Sequence, residues 1–121
     1  MIKDMITEDY CNFEISKLLK EKGFEQHKCQ HSYNSKGVFK WSDDLDPYEC
    51  SAPTLQMAMK WLREIFHIHI RLIHSSDESY TFEIYPMSGK YRCKCFENYT
   101  YYSSYEEAVE AALKYALTNL I

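Results

Sequence analysis

The chain has 121 residues, one domain's length, and a folded chain of that size buries roughly two thirds of the surface it would expose unfolded. A hydrophobic share of 45% and a charged share of 26% set it apart from disordered compositions, and no disulfide or metal staple is needed to explain folding. The net charge of −4 argues against a general nucleic-acid coat, because counterion release rewards a basic footprint, although a local basic patch stays open.

The opening MIKDMITEDY puts acidic residues where a secretory segment needs a continuous apolar stretch. No run approaches the roughly eighteen apolar residues of a membrane span. Helix one is expected from about Glu8 to Lys22, with Thr7 as N-cap, Glu8 and Asp9 at its positive end, and Lys17, Lys20 and Lys22 at its negative end. Gly23 followed by Phe24 predicts a Schellman-type stop with Phe24 folding back on the last turn. Cys11, Ile15, Leu18 and Leu19 form the buried stripe.

The turn cluster Asn34-Ser35-Lys36-Gly37 separates two β-prone runs and predicts a hairpin of about Gln30–Tyr33 and Val38–Trp41. SDDLDPYEC reads as an acidic, irregular loop. Helix two is expected from Pro53 to about Phe66, burying Leu55, Ala58, Met59, Leu62, Ile65 and Phe66. Met57 and Trp61, four residues apart, widen its apolar arc to about 200°, against the roughly 100° a surface helix needs. That helix is packed on two sides or presents spare apolar surface.

Three strands follow as a meander. HIHIRLIH turns Ile68, Ile70 and Leu72 inward and His67, His69 and Arg71 outward. SYTFEIY turns Tyr80, Phe82 and Ile84 inward, with Thr81, Glu83 and Tyr85 outward. KYRCKCF turns Tyr91, Cys93 and Cys95 inward, with Arg92 and Lys94 outward, and ENYTYY either extends this strand or forms a fourth. The last helix has capping-box spacing at Ser104 and Glu107, acidic residues Glu106, Glu107 and Glu110 near its start, and a stripe of Val109, Ala112, Leu113, Ala116, Leu117 and Leu120. Its apolar end, Leu120-Ile121, predicts a docked terminus. The expected class is α+β, in the order α-β-β-α-β-β-β-α, an antiparallel sheet with helices two and three on one face.

Together ITEDY, LLKEKGF, YNSKG, SAPTLQMAMKWLRE and YEEAVEAA resemble a group of short proteins encoded by gut Bacteroidales and their phages or mobile elements. The resemblance spans nearly the whole chain. It implies a cytoplasmic setting and an accessory role, and brings no activity, cofactor or catalytic residue with it.

Five cysteines, an odd number spread thinly, read as reduced thiols of a cytoplasmic protein. His27, Cys29 and His31, with Cys93 and Cys95, include zinc-ligand types, but one intervening residue is not the usual ligand spacing and core or solvated roles explain them. The acidic loop of Asp43, Asp44, Asp46 and Glu49 lacks calcium-loop spacing. There is no Gly-rich phosphate loop, no Gly-x-Ser-x-Gly and no paired-His helix motif, and three glycines leave little room for close backbone approaches to a cofactor. The sequence therefore predicts no enzyme, cofactor or metal.

Two surfaces stand out instead. Met57 and Trp61, with the tyrosines Tyr99, Tyr101 and Tyr102, predict a surface for an unknown protein partner or a second copy of the chain, since Trp anchors interfaces and Met adapts to them. The alternative is a nucleic-acid face of His67, His69, Arg71, Arg92 and Lys94 with Tyr85 as a stacking platform. Against it, Glu83 lies between Arg71 and Arg92 in a meander and would neutralise much of that charge.

Overall fold

A computed structural model describes residues 6–26, 30–41, 49–86, 96–97 and 100–121. Among these the elements run α1 (Phe13–Glu21), β1 (His31–Tyr33), β2 (Phe39–Trp41), β3 (Cys50–Ser51), α2 (Leu55–Ile65), β4 (Ile68–His74), β5 (Tyr80–Pro86), β6 (Phe96–Glu97) and α3 (Tyr105–Asn119). The α+β class stands, and among the described residues there is one strand, β3, that periodicity does not predict. Both sheets are antiparallel, in the orders β2-β1-β3 and β4-β5-β6.

Helices α2 and α3 pack on one face of the β4-β5-β6 sheet, and α1 lies against α3 and β3, joining the small sheet to the helical layer. The core between them is built from Ile15 and Leu19 of α1, Leu55, Ala58 and Leu62 of α2, Ile68, Ile70, Phe82 and Ile84 of the sheet, and Val109, Leu113 and Leu117 of α3. Each fully buried Leu or Ile contributes about 2 kcal/mol relative to exposure. No described helix is long and apolar enough to cross a membrane.

Helix α1 begins later than its sequence pattern predicts. Asn12, not Thr7, is the N-cap, accepting from the Ile15 amide at 2.8 Å. Residues 9–11 are held by tertiary bonds to the start of α2: Cys11 N–H donates to Pro53 O at 2.8 Å and Leu55 N–H to Asp9 O at 2.9 Å. The helix ends as expected. Gly23 has φ +100°, its amide reaches Lys20 O at 3.1 Å, and the Phe24 amide reaches Leu19 O at 2.9 Å, which folds the Phe24 ring into the core.

The hairpin forms with the register His31↔Trp41, and Asn34 closes it by accepting from the Lys36 and Val38 amides through Oδ1. Cys50–Ser51 then adds to the free side of β1, a pairing for which two residues carry no periodic signal. Thr54 caps α2, so Pro53 stands just before the helix rather than in its first turn. Ser104 caps α3 and Glu107 is its partner, as the spacing predicts. The Ile121 backbone is held by Lys22 Nζ at 3.0 Å and its side chain packs on the core, whereas Leu120 is exposed and leaves the expected stripe. KYRCKCF lies outside the described residues apart from Phe96.

Candidate functional site: the groove between α1 and α2

The Gly23 stop sends the chain back alongside the outer flank of α2 and opens a groove of about 650 Å³. Phe24, Met57, Trp61 and Ile65 form its apolar lining. Trp61 is half-buried, meeting Phe24 edge-on with ring centroids 5.5 Å apart and Phe66 at 5.1 Å. Met57 is 41% exposed and Ile65 57% exposed. Ile65 was expected in the buried stripe; it lies at the edge of the arc, where the last turn of α2 has the groove beside it rather than the sheet. Met57, Trp61 and Ile65, spaced four residues apart, make one apolar line along the helix.

The rim carries Lys22 and Glu25 on one side and Lys60 and Glu64 on the other. Lys22 is engaged with Ile121 O. Among the described residues neither Lys60 nor Glu64 makes an ion pair.

Of the expected tyrosines, Tyr99 lies outside the described residues. Tyr101 is 57% exposed, and Tyr102 exchanges backbone bonds with Tyr80 at 2.7 and 2.8 Å and stacks on Phe82. Neither lines the groove. Sheet pairing draws Tyr102 to the edge of β5.

A second aromatic surface lies on the small sheet. Alternation places His31 and Tyr33 of β1 and Phe39 and Trp41 of β2 on one face, under Tyr10 and Phe13. His31 stacks on Phe39 at 4.7 Å and lies 4.4 Å from Trp41, which is 58% exposed. The alternation His-Ser-Tyr and Phe-Lys-Trp was the signal for this face. Residues 27–29 and 42–48, which adjoin β1 and β2 in sequence, lie outside the described residues.

The outer face of β4 and β5 brings His69, Arg71, Glu83 and Tyr85 together, with His69 opposite Tyr85 and Arg71 opposite Glu83. Arg71 Nη1 lies 3.6 Å from Glu83 Oε1, and the Tyr85 hydroxyl donates to the same carboxylate. His67 is not on this face. It occupies the two-residue link from α2 to β4 with φ +58°. Arg92 and Lys94 lie outside the described residues.

Of the groups considered as metal ligands, His27, Cys29, Cys93 and Cys95 lie outside the described residues, as do Asp43, Asp44 and Asp46. Among the described residues no three His, Cys, Asp or Glu side chains converge as ligands would. Cys11 and Cys50 are buried thiols. Burial, reinforced by Glu49 and opposed by Lys20 and Lys17, pushes the Cys50 thiol up to about 11, the reverse of what a nucleophile requires. Set against protein-family models, curated proteins and solved structures, the chain matches none of them.

Proposed function

We propose that this chain is a non-enzymatic protein-interaction module of the cytoplasm, an accessory protein that docks a partner in the α1–α2 groove. The observation that carries the reading is the apolar line of exposed Met57 and Ile65 around half-buried Trp61, which Phe24 closes from behind. Folding leaves such side chains in water only at a cost, and a Trp between an adaptable Met and an Ile is the composition of an interface anchor. The raised Cys50 thiol speaks for a structural rather than a reactive cysteine.

The test compares proteins recovered with the native chain and with Met57→Lys expressed in a bacterial host of the kind the sequence resembles. Met57 is exposed, so the variant is expected to melt within about 0.5 kcal/mol of the native chain. Loss of a co-purifying protein supports the reading. An identical set from both chains, with self-association also unchanged, counts against it.

The nucleic-acid reading draws on His69, Arg71 and Tyr85 sharing a face. It has less behind it, because Glu83 already takes both the Arg71 guanidinium and the Tyr85 hydroxyl. A salt-sensitive shift of single-stranded RNA that Arg71→Ala abolishes would favour it over the groove.

A further inference from the structure

We infer that the occupant of the groove is a second copy of this chain, whose α2 lies antiparallel to the first across a twofold axis near Trp61. The inference rests on the reading above and adds the identity of the partner.

Its support is the order of charges beside the apolar line. Lys60 and Glu64 flank Met57, Trp61 and Ile65 on one edge of α2, one turn apart, opposite in sign and each without an ion-pair partner among the described residues. An interface between identical copies must be complementary to itself under the twofold. When two such helices run antiparallel, the flank of one meets the same flank of the other in reverse order. Lys60 then faces Glu64 of the second copy and Glu64 faces its Lys60, two ion pairs from a single patch. In a parallel twofold arrangement this flank meets the opposite flank of the second copy, and neither pair forms.

A twofold at Trp61, one residue from the centre of the Lys60–Glu64 spacing, also matches the apolar line. Met57 comes opposite Ile65 of the second copy, and the two Trp61 rings meet at the axis. The line is about 12 Å long at 1.5 Å per residue, short enough for antiparallel helices to follow without supercoiling. A net charge of −4 on each copy opposes association only weakly, because at physiological ionic strength charges more than about 8 Å apart are screened. Two short helix faces make a small interface, so the dimer is expected to be micromolar and reversible.

Sedimentation equilibrium between about 5 and 500 µM reads the outcome. The native chain is expected to pass from monomer to dimer, and Met57→Lys to weaken the dimer at least about tenfold. Lys60→Glu and Glu64→Lys are each expected to weaken it, and the two together to restore it, because the reversed pair is again complementary. Circular dichroism melts confirm that each variant is folded. A native chain that stays monomeric across the range overturns the inference, as does a dimer indifferent to Met57→Lys. Failure of the double reversal to restore dimerisation overturns the antiparallel arrangement. A monomeric native chain that still loses a foreign protein on Met57→Lys sinks this inference alone and leaves the docking groove standing.

Discussion

Trp61 meets Phe24 edge-on across the groove, with ring centroids 5.5 Å apart, and a single glycine sets that contact. Gly23, at φ +100°, is the residue that lets the Phe24 amide return to Leu19 O and carries the ring back over the end of α1. A Cβ at Gly23 would meet no atom within 4 Å, so a substitution there acts through backbone strain alone.

Gly23→Ala is therefore expected to cost about 1–2 kcal/mol, the penalty of the left-handed region for an L side chain. Urea denaturation measures the loss. The emission of Trp61, recorded in a Trp41→Phe background, is expected to shift to the red as Phe24 loosens from its ring. Asn at the same position tolerates the left-handed region better and is expected to recover part of both changes.

Among the described residues, two others occupy that region without being glycine. His67, at φ +58°, makes the link from α2 to β4, and Glu78, at φ +63°, closes the turn in which Ser75 N–H donates to Ser79 O at 2.8 Å. His67→Gly and Glu78→Gly are each expected to stabilise the protein by about 0.5–1 kcal/mol, relief of strain exceeding the entropy glycine loses on folding. The sites are separate, so the double variant is expected to show the sum. Thermal melts of the four proteins check this, and a loss of stability at either site would mean that its side chain does more than the backbone suggests.

Features written in neighbouring residues were legible in the sequence, and those made by distant ones were not. The Gly23-Phe24 stop and the Ser104–Glu107 cap each depend on a few consecutive residues. The Arg71–Glu83 pair followed from alternation, which fixes which side chains share a face once β4 and β5 adjoin. The start of α1 was misplaced because Asp9, Tyr10 and Cys11 bond to residues more than forty positions away, and those bonds override helix propensity. Strand β3 exists only because β1 has an edge to offer. For the site, Met57 and Trp61 could be singled out because they overfill the apolar arc of α2. That Ile65 joins them, and that Tyr102 does not, depends on where the neighbouring elements stop.

Glu110 is half-buried on α3, and its carboxyl is held above the usual range by burial first and then by Glu107, Asp9 and Glu106. A raised folded-state pKa means that the folded chain holds the proton more tightly than the unfolded one. The favourable contribution is full below the unfolded value and is lost as pH rises through the folded value. Glu110→Gln is thus expected to be more stable than the native chain at neutral pH, with the advantage vanishing as pH falls to about 4. Urea midpoints for both proteins across that range supply the comparison, and a gap that widens on acidification would contradict the assignment.

The same reasoning at the alkaline end concerns Cys50 and Tyr33, which face each other across β1 and β3. Burial lifts the Cys50 thiol from 9.0 to about 11, and burial followed by Cys11, Cys50 and Glu110 lifts the Tyr33 phenol from 10.0 to about 12. Both groups shed protons more readily once unfolded, so their contributions are whole below the unfolded values and fade as pH climbs through the folded ones. Stability is expected to fall in two overlapping steps, between pH 9 and 11 for Cys50 and between pH 10 and 12 for Tyr33. Cys50→Ala is expected to flatten the first step. Tyr33→Phe is expected to flatten the second while losing about 1 kcal/mol near neutral pH, because the hydroxyl no longer donates to Cys11 O at 2.7 Å. Melting temperatures of the three proteins from pH 7 upward decide the matter. If Cys50→Ala leaves the first step unchanged, that thiol is not the group that titrates.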